Sequence, residues 1–304
     1  MIILNGVWDN FSINSSLYKI LEEIVPQNLT VELVSFNLKK IKQKSDLVIF
    51  ICGECLDIES LVKVYSDYVD IFISFQPDEI FDINNKKIIN VQCLLPIYND
   101  NIYENLNEKF KHKILNKKDY DFSIVVSNNT SNKYYDFNLK NYPDYCINDL
   151  NLIQKRIEIG NNISDNIIKG GLAFNNIIYD KISFIEKSKF NICFENVKHR
   201  YYITEKIFDS YLAGCIPIYC GDNFINTIFD QKYFVNCLND KTNQIKSLDV
   251  IKKEAFEKYK FINETNLDKL NIYLKNTDYV LQEQYLLKTK LIAIIKNLTY
   301  YYDF

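Results

Sequence analysis

Glycine and proline are scarce in this chain, with 7 Gly and 5 Pro in 304 residues, beside abundant Asn, Lys and Ile. That bias reflects an A+T-rich coding sequence and carries no function of its own. An excess of basic charge is also missing. The formal net charge is −3, which argues against a general nucleic-acid binder, whose surface is usually basic. No apolar run approaches the length of a membrane span. Residues 1–12, MIILNGVWDNFS, have neither a basic lead nor a long apolar segment, so no signal peptide is expected. The expected compartment is the cytoplasm, with a peripheral position at the inner face of the membrane as the variant. His112 and His199 are too far apart to suggest a shared site. His199 lies in a polar loop, where it is solvated or touches a ligand.

Of the 8 cysteines, Cys93, Cys193 and Cys215 lie in apolar, strand-like runs. That placement suits buried thiols in a reducing compartment better than a disulfide framework. Cys52-Gly53-Glu54-Cys55 has the spacing of a redox pair. It lacks the second Cys pair or nearby His that a zinc site needs. Among 8 cysteines, one such spacing also arises by chance.

What is present is a globular composition, 47% apolar and long enough for two domains. Strand patterns fall at 2–7, 29–36, 46–52, 69–75 and 87–95, with helical patterns at about 16–25 and 58–68 between them. The run at 46–52 is continuously apolar, as in a strand buried on both faces. Alternating strands and helices imply a parallel sheet with crossover helices. A second series starts with a strand at 122–126 and a Ser/Asn loop at 127–132. Residues 150–159 read as a helix running into a strand, with Gly160 and Gly170-Gly171 marking loops. A short strand at 233–237 follows, then helices at 249–259 and 267–298. The fold class is therefore α/β. The expected boundary lies at 118, between domains 1–118 and 119–304. The last helix, about 279–298, has an apolar stripe that would pack back on the first domain. The aromatic tail 299–304 after it could instead rest on a membrane surface.

The most informative stretch is 188–222, SKFNICFENVKHRYYITEKIFDSYLAGCIPIYCGD. Phe190, Ile192 and Phe194 alternate with Asn191, Cys193 and Glu195, the period of a strand. Thr204 is placed to N-cap a helix whose apolar face is Ile207, Phe208, Tyr211 and Leu212. Gly214 stands where the chain must leave that helix. Residues 215–219 form a short buried strand. The polar cluster Glu195, Asn196, Tyr202, Thr204, Glu205 and Lys206 then falls at a strand end and the following helix start, where such units bind ligands. A lysine in a first helical turn is at the wrong end of the dipole unless an anion sits there too. A diphosphate would use Lys206 and the free N–H groups together. Glu205 would repel it, and so suits the hydroxyls of a ribose or sugar. The competing reading is a solvated Glu-Lys pair at a helix start.

These residues resemble the signature of the alpha-1,3-fucosyltransferases. That signature runs approximately Phe-Asn-x-x-Phe-Glu-Asn, a short loop, Gly-Tyr-x-Thr-Glu-Lys-Ile-x-Asp-Ala-Tyr, then Ile-Pro-Ile-Tyr-Trp-Gly-Ser. Phe190, Asn191, Phe194 to Asn196, Tyr202, Thr204 to Ile207, Asp209, Tyr211, Ile216 to Tyr219 and Gly221 match it in register. The resemblance implies a GT-B enzyme with two Rossmann-like domains whose parallel sheets face a central cleft. It would transfer L-fucose from GDP-fucose, with inversion, to an acceptor glycan held by the first domain. The acceptor would be N-acetyllactosamine-like or a lipopolysaccharide O-chain. Lys206 would contact the diphosphate and Glu205 the donor. No cofactor is implied, and no Asp-x-Asp motif stands at a suitable strand end to call for a metal.

Three departures matter. Tyr201 replaces Gly, Cys220 replaces Trp, and Asp222 replaces Ser. The family also has an Arg shortly after a Ser-Asn pair, to neutralise phosphate. Ser127-Asn128 fits the pair, but the only arginines are Arg156 and Arg200. Lys133 or Arg156 would have to substitute, and a lysine would lose the bidentate grip. For the base that inversion requires, Glu54 has the family's preceding Gly and Glu79 the family's place after a strand. Order of elements favours Glu79. Two rivals remain: a GT-B transferase using another nucleotide sugar, and a non-catalytic nucleotide- or sugar-binding module.

Overall fold

The continuous apolar runs become the strands of two sheets. The computed structural model describes residues 2–6, 19–20, 22–23, 32–35, 48–52, 67, 69–74, 82–83, 86–90, 102–127, 152–164, 166–196, 198, 202–239, 241–242, 244–275, 285 and 288–293. The chain divides into two compact units, Met1–Asn101 with Val280–Phe304, and Ile102–Tyr279.

In the first unit the strands are β1 Ile2–Gly6, β2 Glu32–Ser35, β3 Val48–Cys52, β4 Ile71–Ser74, β5 Asp82–Ile83 and β6 Lys86–Asn90. They lie in the order β2-β1-β3-β4-β6-β5. All pairings are parallel except the β5–β6 hairpin. Val48 and Ile49 are consecutive and both buried, as are Ile71 and Phe72. Neighbours in a strand point to opposite faces, so this sheet is covered on both sides. Asp70 joins β3 to β4, accepting from the Val48 N–H at 2.8 Å. Residues 19–20 and 22–23 are helical. The C-terminal segment meets them through Lys288 and Glu23 at 2.6 Å, and its Leu291 is fully buried. Of the expected helix at 58–68 only residue 67 is described, and Cys93 and the aromatic tail lie outside the described residues.

The second unit carries β7 Tyr120–Val125, β8 Ile167–Gly170, β9 Ser188–Ile192, β10 Ile216–Tyr219 and β11 Val235–Asn236, with helices α1 Leu106–Ile114, α2 Leu152–Asn162, α3 Lys181–Ile185, α4 Glu205–Leu212, α5 Ile225–Ile228 and α6 Leu248–Glu264. The strand order is β11-β10-β9-β7-β8, all parallel. The order reverses between β7 and β9. In doubly wound sheets that switch point is where the carboxyl ends of the strands open a crevice for ligands.

Aromatic side chains fill the core of this unit. Phe122 and Phe190 lie 5.2 Å apart, and Phe256 of α6 stands edge-on to both. Elsewhere Phe110 of α1 meets Tyr211 of α4 edge-on at 5.1 Å, and Tyr103 meets Phe208 at 5.8 Å. Each such pair adds about 0.5–1.5 kcal/mol beyond its burial. These contacts bring 102–118 into the second unit, whereas the sequence reading ended the first domain at 118. Leu106, Phe110 and Ile114 are the buried face that decides it.

Two further expectations are corrected. The segment 150–159 does not run from helix into strand, since α2 continues through Gly160 to Asn162. Gly160 marks a close approach, where a Cβ would lie 2.8 Å from Phe174 Cζ. The strand follows later, as β8. Residues 267–298 are not one helix. A single 3-10 turn, Leu267–Lys269, gives way to an extended strip. The Asn107 side chain accepts from the Ile272 N–H at 2.9 Å, while Asp230 and Leu274 exchange backbone bonds with Ile272 and Ile228. Tyr273 stacks on Phe229 at 5.4 Å.

Gly214 has the role read from the sequence. Its φ is +65°, its N–H reaches Tyr211 O, and the Cys215 N–H reaches Ser210 O, the paired bonds of a Schellman motif. Gly214→Ala should cost about 1–3 kcal/mol in urea denaturation, from the left-handed backbone and overpacking. The added Cβ would meet Lys113 Cβ at 2.4 Å.

Candidate functional site

The site is built on the polar side of β9 and on the helix that follows it. Asn191, Cys193 and Glu195 alternate with the core aromatics, yet all three are buried. The alternation therefore separates an apolar face from a hydrogen-bonded one. Ser123 Oγ lies 3.1 Å from Asn191 Oδ1, and Asn191 Nδ2 donates to Ser210 Oγ at 2.8 Å. Ser210 in turn donates to Lys206 O at 2.9 Å. This line of bonds ties β7, β9 and α4 together and fixes where α4 starts.

Glu195 is the centre of the arrangement. Its carboxylate is 0% exposed. Oε1 accepts from the Thr204 N–H at 2.9 Å, and Oε2 accepts from Thr204 Oγ1 at 2.7 Å and from Lys206 Nζ at 3.1 Å. Tyr219 OH is 3.5 Å from Oε1. Gly221 closes over the group, since a Cβ there would stand 2.9 Å from Glu195 Cγ and 2.3 Å from Tyr219 OH. A buried carboxylate without partners is costly, and here four donors converge on it. Thr204 sits at the N-cap position of α4 but makes no side-chain cap bond. The expectation that its hydroxyl caps the helix is corrected. Glu195 competes for that hydroxyl with a full negative charge and wins, because charge-assisted bonds are about twice as strong.

Lys206 is thus held at the first turn of α4, 12% exposed, with Thr204 Oγ1 at 2.8 Å as a second contact. Glu205 lies beside it, Oε1 4.0 Å from Lys206 Nζ. A second cation, Lys181 from the start of α3, approaches Glu205 at 3.4 Å and Asp209 at 2.7 Å. Tyr103 OH donates to the other Asp209 oxygen at 2.7 Å. Charges therefore alternate in sign through Glu195, Lys206, Glu205, Lys181 and Asp209. Burial by itself would raise the Glu205 pKa, but Lys206 and Lys181 outweigh it and bring it down to about 2. Burial pushes the Asp209 carboxyl up, against the pull of Lys181.

Arg156 was one of two candidates to replace the missing phosphate arginine. It is 4% exposed and turned inward. Nη1 donates to Phe194 O at 2.8 Å and Nη2 to Asn196 Oδ1 at 3.2 Å. Burial lowers its pKa, with Glu195 acting in the opposite sense. Its planar fork pins the end of β9 and orients Asn196. Tyr202 is buried, and Ser127 is exposed just past β7. Glu54, Glu79, Asn128, Lys133, His199, Arg200 and Tyr201 lie outside the described residues. So do residues 53–55 of the Cys-x-x-Cys spacing.

Cys193, Cys215, Cys220 and Cys237 are buried free thiols, and burial pushes Cys193 and Cys215 up to about 12. They are protonated packing residues at neutral pH. Among the described residues no cluster of His, Cys, Asp and Glu could hold a metal ion, and no helix is long and apolar enough to cross a membrane. Lys181, Asp209 and Tyr103 were not among the expected site residues. Asp209 was within the signature without an assigned role. Lys181 and Tyr103 lie 24 and 106 residues from their partners, beyond any local pattern.

Residues 159–263 match the model of the glycosyltransferase family 10 (fucosyltransferase) C-terminal region. The alpha-(1,3)-fucosyltransferase FucT of Helicobacter pylori is 39% identical over 85 residues, which are 28% of this chain and 17% of that protein. The human 4-galactosyl-N-acetylglucosaminide 3-alpha-L-fucosyltransferase 9 is 41% identical over 63 residues, 19% of this chain and 18% of that protein. The chain thus matches less than a fifth of the length of these relatives. In three dimensions, a crystal structure of an alpha1,3-fucosyltransferase with GDP superposes with a TM-score of 0.53 at 20% identity, over 95% of this chain and 89% of that one. A likeness at that identity carries the fold, which is the expected α/β GT-B architecture.

Proposed function

With residues 159–263 belonging to the C-terminal domain of glycosyltransferase family 10, we propose that the chain is an inverting transferase that moves L-fucose from GDP-fucose to a hydroxyl of an acceptor glycan. The observation that carries this reading is the placement of Lys206. Its ammonium is fixed by buried Glu195 and Thr204 at the first turn of α4, where a helix dipole favours an anion.

In the reaction the acceptor hydroxyl attacks the anomeric carbon from the face opposite the nucleotide. The bond from that carbon to the phosphate oxygen breaks, and GDP leaves with the electron pair. The acceptor's proton passes to a carboxylate base, Glu79 or Glu54. Lys206 and the N–H groups of the first turn of α4 stabilise the charge that grows on the leaving diphosphate. Glu205, kept ionised by two lysines, accepts hydrogen bonds from donor hydroxyls. Arg156 supports the site through Phe194 and Asn196, which leaves Lys133 as the second phosphate cation. In this reading protein cations neutralise the diphosphate and no metal is needed. The name of the human relative favours an N-acetyllactosamine-like acceptor.

The test is turnover of a panel of GDP- and UDP-sugars with N-acetyllactosamine, together with calorimetry of GDP and UDP. Transfer from GDP-fucose and preference for GDP are expected. Absence of both turnover and GDP binding would overturn the reading, and preference for UDP would select a transferase with another donor. Glu79→Gln and Glu54→Gln locate the base. One should lower kcat about 10²–10⁴-fold with donor binding retained. If neither lowers it, both carboxylates are excluded as the base.

A further inference from the structure

The alternating charges differ in how far they reach solvent. The Glu195 and Asp209 side chains at the two ends are 0% and 6% exposed, whereas Glu205 and Lys181 in the middle are 20% and 33% exposed. The two accessible groups are thus adjacent and opposite in charge. Lys181 Nζ lies 2.7 Å from Asp209 Oδ2 but 3.4 Å from Glu205 Oε1, and charge-assisted bonds are normally about 2.7–2.9 Å. The firm bond of Lys181 is therefore to Asp209, and its contact with Glu205 is loose. An ammonium has three N–H donors, and Asp209 and Glu205 are its two acceptors among the described residues. The backbone behind the pair is fixed. Tyr103 OH holds the other Asp209 oxygen at 2.7 Å, and Asp180 caps the start of α3, accepting from the Ser183 N–H at 3.1 Å. Against burial, Lys206 and Lys181 keep the Glu205 carboxyl down at about 2. Against burial again, Asp209 and Glu205 hold the Lys181 ammonium above its ordinary value. Glu205 is thus a fixed acceptor and Lys181 a fixed donor. A lone anion would meet Lys181 but be repelled by Glu205 and Asp209. A pair of neighbouring hydroxyls suits both groups, because each hydroxyl can donate and accept.

We propose that Lys181 and Glu205 together bind a vicinal diol of the donor, one hydroxyl donating to the Glu205 carboxylate while its neighbour accepts from the Lys181 ammonium. The inference rests on the donor-site reading above and names Lys181, on a different helix, as a second group for the donor's hydroxyls. Adjacent hydroxyl oxygens on a sugar ring stand at a spacing similar to that between the two protein groups. Asp209 and Tyr103 hold the ammonium in place from behind. GDP-fucose carries such diols on its ribose and on its fucose, and both present the same chemistry.

The test is calorimetry of GDP, 2′,3′-dideoxy-GDP and GDP-fucose on the wild type and on Lys181→Met. Loss of one charge-assisted bond should weaken the ligand that carries the diol at least about tenfold. If the ribose fills the site, GDP weakens and 2′,3′-dideoxy-GDP stays within about threefold of its wild-type affinity. If the fucose fills it, GDP stays within about threefold while GDP-fucose weakens. In the Glu205→Gln background Lys181→Met should still cost at least about threefold, because the ammonium bonds the diol itself. Where Lys181→Met does not fold, Lys181→Met/Asp209→Asn is compared with Asp209→Asn alone, so that no buried carboxylate loses its cation. A folded Lys181 variant that binds GDP and GDP-fucose as tightly as its parent overturns the inference. So does a loss shared by 2′,3′-dideoxy-GDP, and so does the absence of any further loss in the Glu205→Gln background. A wild type that binds neither GDP nor GDP-fucose overturns the donor-site reading and the inference together.

Discussion

Lys206→Ala is expected to weaken GDP binding by at least about a hundredfold, or ~2.7 kcal/mol. The ammonium stands at the first turn of α4, and charge-assisted bonds to phosphate are the strong ones. Arg156 already bonds to Phe194 O and Asn196 Oδ1. The same substitution also removes a partner from a fully buried carboxylate, so lost binding could be confused with lost structure. Glu195→Gln/Lys206→Ala separates the two, since it removes the orphaned charge along with the cation. That double variant should recover stability relative to Lys206→Ala while GDP binding stays lost. Recovery of binding as well would move the diphosphate elsewhere.

Glu195→Ala should be the more damaging change to the fold, costing about 3–5 kcal/mol, the range for breaking a buried ion pair. Four donors lose their acceptor at once: the Thr204 N–H, the Thr204 hydroxyl, Lys206 and the more distant Tyr219 hydroxyl. Lys206 would be left at 12% exposure without its nearest carboxylate. Glu195→Gln keeps the shape and one acceptor oxygen, and should cost less than half as much. Chemical denaturation of the two variants against wild type measures the difference. Equal losses would mean that the charge of Glu195 alone, and not its shape or remaining acceptor, holds the start of α4. Glu195 anchors Thr204 and Lys206 at the start of α4.

The parts of this fold that were legible in the sequence are those whose causes are local. The runs at 48–52, 71–73 and 216–219 are apolar throughout, and sheet burial on both faces requires nothing else. The face of α4 was readable because Ile207, Phe208 and Tyr211 recur at helical spacing and are all buried. Gly214 was readable because a helix that ends in a left-handed residue asks for glycine. The misreadings came where a distant group outcompeted a local rule. Thr204 has the right residue type and place for a cap, but Glu195, 9 residues away, takes its hydroxyl. Leu270 and Tyr273 keep a helical spacing, but Asn107 reaches across 165 residues to hold Ile272 in an extended strip. Gly160 looks like a loop signal when only the chain is seen. Its reason is Phe174, which occupies the space a side chain would need.

The same distinction runs through the site. Thr-Glu-Lys at a helix start pointed to Lys206 and Glu205, and both stand at the ligand edge of a doubly wound sheet. The sequence could not show that Glu195 is a buried support, that Arg156 faces inward, or that Lys181 completes the charge pattern. Those facts depend on three elements, α2, α3 and β9, converging on α4.

The start of α4 is proposed to be the donor site of a fucosyltransferase. Transfer of labelled fucose from GDP-fucose to N-acetyllactosamine, by wild type and by Lys206→Ala in parallel, tests it most directly. Transfer by the wild type that is lost in the variant is the expected result. It would be contradicted by a folded wild type that neither transfers fucose nor binds GDP, or by a variant as active as the wild type.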